Sequence, residues 1–307
     1  MSGWPASVAG VAHVEVLRGP QAAPGAVPSL LVEVPHGADR AIDFALLEKQ
    51  LQGPLPSGLA DFFFVNTDVG AWALGRAIAS QTLALRPQTV ALLVRCLVPR
   101  TFVDCNRNLA AEAGGDLREG AVTSGIPSYV TNPADQALLR QLHARYIALT
   151  DDAYEIVMSA GGLAVVPHTY APRSVGIARV DEDIVEELHR VYSPELRDSW
   201  PLRAEIDLIT RTPDGTRRSP HGAVEALIPG FADAGFQACE GDCYALHPAT
   251  RAATLSARYP NRLLCFEARR DRVVRAWTPF AEMEADPGMV ERIAGPIASW
   301  LSTALQT

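Results

Sequence analysis

The chain has 307 residues, of which 48% are hydrophobic and 20% are charged, a composition typical of a globular protein large enough to bury an extensive sheet. Its net charge of -8 argues against nucleic acid or an anionic membrane as a partner, because both require a concentrated basic face. No apolar run approaches the roughly 20 residues needed to cross a bilayer.

Two buried strands and a helix are predicted in the first third of the chain. Residues 29–34 and residues 89–98 are nearly continuous apolar runs, each followed by a proline, which is typical of buried strands. Between them, apolar residues at helical spacing follow Asp68. We therefore expect a helix there, with Thr67 or Asp68 as its N-cap.

The clearest helix is predicted to begin after Asn132 as its cap and to end at the glycine pair of residues 161–162. The apolar residues 163–166 predict a short strand that ends at Pro167.

Four further elements are predicted in the second half. Residues 181–191 indicate a surface helix, residues 203–212 lead into a turn, residues 262–267 form another buried strand, and residues 287–305 form a closing helix. Strands that alternate with helices and are apolar throughout predict a mostly parallel or mixed sheet with both faces covered, an α/β fold.

Domain organisation and location are read from composition. No linker rich in proline, glycine or serine divides the sequence, so we expect a single domain over residues 1–307. Residues 1–19 lack a basic leader followed by an apolar core, so we expect no signal peptide. The odd, scattered set of five cysteines predicts free thiols in a reducing cytoplasm.

Polar residues follow or end three of the apolar strands. His36 and Asp39 follow the first, His168 follows the strand at 163–166, and Glu267 ends the strand at 262–267. The carboxyl ends of strands in open α/β sheets are where ligands bind, so these groups can converge. Two imidazoles and a carboxylate suit a catalytic zinc, and a further glutamate can move protons. This pattern assigns His36, Asp39 and His168 as ligands and Glu267 as the base.

Simpler interpretations of the same residues stay open. A single histidine at a strand end is usually a hydrogen-bonded loop residue. Asp39 can cap the turn after its strand, and Glu267 can pair with Arg269 or Arg270.

A second group of polar residues follows the strand at 89–98. Arg100, Asn106 and Arg107 can form a clamp for a carboxylate, because guanidinium groups bind carboxylates with two parallel hydrogen bonds. The alternative is a surface loop in which Asp104 neutralises one of the arginines.

Taken in order, these motifs resemble the N-formylglutamate amidohydrolase family, which is in turn similar to zinc carboxypeptidases and aspartoacylases. The matching features are Pro35-His36-Gly37, Asp68, the Arg100-x-x-x-Asp104-x-Asn106-Arg107 segment, His168, and the segment from Glu267 to Asp271. The resemblance covers roughly residues 28 to 275. Gly37 stands where the family has serine, a departure that bears on the substrate more than on the chemistry.

The resemblance implies a role for each matched residue. His36, Asp39 and His168 become the metal ligands, with Asp39 in place of a glutamate, and Glu267 the base. Arg100, Asn106 and Arg107 become substrate-binding residues, and Arg100 has the alternative role of polarising the scissile carbonyl.

Two further residues carry open roles. Asp68 is expected either to cap its helix or to orient a ligand histidine. Tyr244 is expected either to reach the substrate from a late loop or to be a packing residue.

The expected protein is a three-layer α/β/α sandwich with a mixed central sheet, similar to the zinc-exopeptidase fold. We expect it to bind one zinc ion and to hydrolyse the amide bond of a small N-acyl, and by resemblance N-formyl, amino acid or similar carboxylate-bearing molecule. The alternatives are a metallocarboxypeptidase, a deacylase for a larger acyl group, and a non-catalytic anion-binding protein on the same fold.

Overall fold

A central mixed sheet of seven strands organises the computed structural model, which describes residues 3–111 and 115–305. The strands are β1 (Ala12–Arg18), β2 (Leu30–Val34), β3 (Val90–Cys96), β4 (Leu163–Tyr170), β5 (Ile206–Ile209), β6 (Ala238–Glu240) and β7 (Leu263–Arg269). Their order across the sheet is β1-β3-β2-β4-β7-β5-β6. Strands β3, β2, β4 and β7 run parallel, whereas β1 and β5 pair antiparallel with β3 and β7.

Helices cover both faces of this sheet. They are α1 (Ala41–Glu48), α2 (Leu59–Asn66), α3 (Ala71–Leu85), α4 (Pro133–Ser159), α5 (Ile184–Val191), α6 (Ala223–Asp233), α7 (Arg251–Arg258) and α8 (Pro287–Ala304). Helices α3, α6 and α8 contribute to the core on one face, and the other five contribute to the core on the opposite face. The predicted three-layer α/β/α architecture is confirmed.

Successive residues of the central strands enter opposite cores. Leu30 and Val32 of β2 belong to the core beneath α3 and α8, whereas Leu31 between them belongs to the core beneath α4. Because side chains alternate across a strand, a strand buried on both faces is apolar at every position. This explains the uninterrupted apolar runs in the sequence.

Strand β4 is longer than predicted. It continues through Pro167 to Tyr170 instead of ending at the proline. Strand β2 pairs with β4 only as far as Val165, so beyond that residue β4 has β7 as its single neighbour. A proline is tolerated where one side of a strand is unpaired. The extension places His168 inside the strand.

Helix α3 begins later than predicted. Its N-cap is Gly70, whose φ of 84° lies in the left-handed region that favours glycine, and the helix starts at Ala71. The prediction of Thr67 or Asp68 as the cap is therefore wrong, and the Asp68 carboxylate is left to contact other groups.

Three further features bear on the predictions. Within residues 3–111 and 115–305, no helix combines the length and the apolar character that a membrane span requires. The five cysteines are free thiols. The prediction of one domain over residues 1–307 stays a prediction, and residues 1, 2, 112–114, 306 and 307 lie outside the described part of the chain.

Candidate active site

Three adjacent parallel strands, β2, β4 and β7, bring distant polar residues to one edge of the sheet. His36 follows β2, His168 lies near the end of β4, and Glu267 lies on β7 as the direct ladder partner of His168. Because the carboxyl ends of parallel strands meet at one edge, residues more than 200 positions apart become neighbours.

Asp68 lies between the two histidines. Its Oδ2 atom is 3.2 Å from Nδ1 of His36 and 2.8 Å from Nδ1 of His168. One ligand atom from each of the three residues lies within 4.8 Å of the others, and all three residues are buried. Burial alone would raise the pKa of Asp68. The charges and hydrogen bonds of both histidines outweigh burial and hold this pKa well below its usual range.

This cluster fits a divalent metal ion. Two imidazole nitrogens and an ionised carboxylate oxygen converge on one point, and that donor set is the one found at catalytic sites that keep a position open for water or substrate. A metal ligand must be deprotonated, which the low pKa of Asp68 ensures. His36, Asp68 and His168 are therefore the residues that would hold the ion.

Asp104 orients His36 from the other side of its ring. The Nε2 atom of His36 donates to Oδ1 of Asp104 at 2.8 Å, which leaves Nδ1 facing Asp68. A carboxylate that fixes a ligand histidine in this way is typical of metal sites. Burial and the charge of Arg100 lower the pKa of His36, but the charges of Asp104 and Asp68 outweigh them, and the pKa is raised. Asp104 is itself held by the backbone N–H of Asn106 at 2.8 Å.

The assignment of Asp39 as the carboxylate ligand stays a prediction, but the cluster with His36 and His168 contains Asp68 in its place. Its Oδ1 atom accepts a hydrogen bond from Arg95 at 2.8 Å, and Arg95 also donates to the carbonyl oxygen of Gly37 at 2.7 Å. This arginine on β3 thus draws Asp39 away from the histidines, and burial raises the pKa of Asp39 to about 6. The carboxylate beside the histidines is that of Asp68.

Glu267 is buried, with 9% of its surface exposed, and its Oε2 atom has no hydrogen-bond partner among the described residues. Burial raises its pKa to about 7, with Asp68 contributing in the same direction and His168 opposing. A carboxyl group with a pKa near neutrality can both accept and return a proton.

The two arginines that follow Glu267 bind other groups. Arg269 donates to Asp271 at 2.7 Å, and Arg270 donates to the carbonyl oxygens of Val65 and Thr169. The alternative interpretation, in which Glu267 pairs with Arg269 or Arg270, is wrong.

Arg100 and Arg107 lie beside the cluster and already contact carboxylates. Arg100 is 2.9 Å from Asp104 and 3.4 Å from Asp68, and Arg107 is 3.6 Å from Asp104. The side-chain oxygen of Asn106 accepts from the backbone N–H of Ala252 at 3.3 Å. Asp104 thus has two roles: it orients His36 and it neutralises arginine charge. The sequence indicated only the neutralisation of arginine charge.

Tyr244 lies on a loop near the same edge and has 44% of its surface exposed. Its ring centre is 6.3 Å from that of Tyr170, and the guanidinium of Arg203 lies over both rings, at 5.7 Å and 5.1 Å. Sequence reasoning did not find Arg203, because it precedes β5 without a recognisable motif.

Asp207 fixes the loop that carries Tyr244. It is fully buried on β5 as the ladder partner of Glu267, and its two oxygens accept the backbone N–H groups of Asp242 at 2.9 Å and Cys243 at 2.8 Å. No local motif indicates this role, which arises because β5 pairs with β6 and so lies beside the loop that follows β6.

No protein-family model matches the chain, and a search of curated protein sequences finds no match. Among solved structures, N-formylglutamate amidohydrolase from Ralstonia eutropha JMP134 has a TM-score of 0.56 at 16% identity, covering 95% of this chain and 98% of that one. A gene product from Agrobacterium tumefaciens has a TM-score of 0.51 at 18% identity, covering 96% and 95%.

These likenesses concern the fold. At such low identity, agreement over nearly the full length of both chains shows the same arrangement of strands and helices. The predicted resemblance to the N-formylglutamate amidohydrolase family is confirmed at that level.

Proposed function

We propose that this protein is a zinc-dependent hydrolase that cleaves the amide bond of a small N-acyl amino acid or a similar substrate bearing a carboxylate. One observation carries the proposal. A buried glutamate with an unpartnered oxygen lies directly beside a buried cluster of two histidines and an aspartate. The ligand set favours zinc among the divalent ions.

Glu267 moves the proton in this proposal. Its free Oε2 accepts a proton from the attacking water as the water oxygen bonds to the amide carbon. The same atom then returns the proton to the nitrogen as the carbon–nitrogen bond breaks. When bound, zinc supplies Lewis-acid polarisation of oxygen ligands at the cluster. The pKa of Glu267 near 7 matches both halves of this transfer.

Arg100 is the group that stabilises negative charge on the carbonyl oxygen. Its hydrogen bonds to Asp68 and Asp104 hold the guanidinium beside the cluster before substrate arrives. Donors that are already in position cost no reorganisation during the reaction.

Asn106, Arg107 and Tyr244 are the proposed substrate-binding residues around this centre. The N-formyl group is the first acyl group to test, because the similar Ralstonia eutropha structure is that of N-formylglutamate amidohydrolase. Free cysteines are consistent with work in a reducing cytoplasm.

The variant Glu267→Gln tests the proposal. It keeps the size of the side chain and leaves the three ligand residues intact, so we expect wild-type zinc content by elemental analysis together with loss of hydrolysis. Glu284→Gln, on an exposed side chain, is the control and should change neither. Full activity in Glu267→Gln would remove this residue from its assigned role.

The substrate follows from a comparison of turnover rates. N-formyl, N-acetyl and peptidyl derivatives of the same amino acids separate a deformylating enzyme from a larger-acyl deacylase and from a carboxypeptidase. Protein purified without zinc in the buffer and found free of metal would instead indicate an anion-binding protein.

A further inference from the structure

Arg203 differs from the other arginines beside the cluster because its charge is not neutralised. Arg100 and Arg107 both contact Asp104, and Arg100 also contacts Asp68. Among residues 3–111 and 115–305, no carboxylate lies within ion-pair distance of Arg203. Its side chain donates one hydrogen bond, from Nη1 to the carbonyl oxygen of Ala171 at 3.3 Å, and its buried Nε has no partner.

This arrangement leaves donors of the Arg203 guanidinium free to bind a further group. A guanidinium carries five N–H donors in a planar fork that matches a carboxylate. A buried donor without a partner is costly unless another group completes it. The missing partner is therefore expected to arrive with a ligand.

Two aromatic rings hold the guanidinium in place. It lies 5.1 Å from the ring centre of Tyr170 and 5.7 Å from that of Tyr244, distances typical of cation–π contacts. The hydroxyl of Tyr170 donates to the carbonyl oxygen of Ala204 at 2.7 Å, which fixes that ring. Tyr244 is 44% exposed, and Arg203 itself is partly buried.

The backbone connects Arg203 to the catalytic edge of the sheet. Its carbonyl oxygen accepts a hydrogen bond from Arg269 at 2.8 Å, and Arg269 lies two residues beyond Glu267 on β7. Burial raises the pKa of Glu267 to about 7, and the positive charge of Arg203 is among the groups that oppose this rise.

We propose that Arg203 binds the carboxylate of the substrate and so determines specificity for acidic over neutral amides. The inference rests on the proposed function and adds to it a residue that the motifs do not indicate. Arg100 and Arg107 keep the roles proposed above, although their charges are already partly balanced by Asp68 and Asp104.

The first test is carboxylate binding by zinc-free protein, measured by calorimetry with succinate, and with neutral succinamide as the control ligand. Wild-type protein should bind succinate and not succinamide. Arg203→Gln should weaken succinate binding roughly 10- to 100-fold, with Arg203→Lys intermediate because it keeps the charge but loses the fork. Arg76→Gln, which removes a surface arginine paired with Glu15, should bind as wild type.

Two results would overturn the inference: failure of wild-type protein to bind succinate, or equal binding by Arg203→Gln. Zinc content and hydrolysis of N-acyl amino acids, measured on the same preparations, separate it from the proposed function. An active zinc enzyme whose succinate binding ignores Arg203 contradicts only the present inference. Succinate binding that depends on Arg203 in a protein with neither zinc nor activity contradicts only the proposed function.

Discussion

Asp39 is partly buried and Asp68 is fully buried, and their nearest partners give them different roles. Asp39 faces Arg95, whereas Asp68 faces two imidazole nitrogens. The spacing of Asp39 three residues after His36 made it the natural candidate in the sequence. The partner of each carboxylate depends on side chains from other strands, which spacing does not reveal.

This difference predicts that the same substitution affects zinc binding at one position and not at the other. Asp68→Asn removes a charged ligand and should weaken zinc binding by more than about 100-fold, beyond the loss typical of residues that only orient a ligand. Asp39→Asn should bind zinc nearly as wild type. Competition with a chelating dye measures both affinities. Loss of zinc in Asp39→Asn, with retention in Asp68→Asn, would restore the assignment made from the sequence.

Glu267 should also make folding stability depend on pH. Its folded pKa of about 7 lies above its ordinary value of 4.5, so the folded protein holds a proton that the unfolded chain releases. The resulting penalty is fully present above pH 7 and disappears as pH falls through 4.5. It amounts to on the order of 3 kcal/mol.

In zinc-free protein, Glu267→Gln should therefore be more stable than wild type at pH 8, with a difference that shrinks as the pH is lowered to 5. Urea denaturation at several pH values measures it. The exposed Glu284→Gln should show no such trend. If the difference in unfolding free energy between Glu267→Gln and wild type does not change with pH, the pKa of Glu267 is not raised in the folded protein.

At the scale of elements, the helices and strands that could be predicted from the sequence are those with an uninterrupted buried apolar surface. Strands β2, β3 and β7 are apolar at nearly every position, and α4 carries both an Asn132 cap and a long apolar stripe. Strand β1 was not predicted because most of its residues are only partly buried, and β6 is three residues long. Such elements form because the neighbouring strand supplies hydrogen bonds, which local sequence does not encode.

Helix α4 is attached to the sheet by a buried polar contact as well as by its apolar stripe. Tyr146 and Tyr154 lie about two turns apart on one face. Their hydroxyls donate to the two oxygens of Glu33 on β2, at 3.0 Å and 2.7 Å. Glu33 interrupts an otherwise apolar strand, and these hydroxyls supply the hydrogen bonds that a buried carboxylate requires.

Tyr154→Phe should destabilise the protein by about 1 to 3 kcal/mol, because it leaves an oxygen of Glu33 buried without its hydrogen bond. Tyr259→Phe is a matched control, since its ring stacks on Tyr154 but its hydroxyl donates to the exposed Glu155. That control should change stability by less than about 0.5 kcal/mol. Chemical denaturation compares the two, and equal small effects would show that Glu33 needs only one tyrosine.

At the scale of the whole molecule, the candidate site exists only because the chain crosses the sheet in a particular order. His36, His168 and Glu267 were predicted because strand ends in a parallel sheet share an edge. Asp68 was considered as a cap or an orienting residue, and its contact with both histidines follows from the late start of α3. Arg203 and Asp207 come from β5 and the segment before it, whose antiparallel pairing with β7 has no counterpart in any local motif.

Because the three proposed ligand residues come from separate parts of the fold, we expect zinc to stabilise the molecule as a whole. His36 follows β2, Asp68 precedes α3, and His168 lies on β4, so unfolding any of these separates the ligands. A ligand that binds only the folded state at 1,000 times its Kd adds about 4 kcal/mol. We expect removal of zinc with a chelator to lower the Tm by several degrees, and added zinc to restore it.

The Tm of Asp68→Asn should not respond to zinc, whereas that of Asp39→Asn should respond as wild type. A wild-type Tm that is indifferent to zinc would show that these residues do not form a metal site.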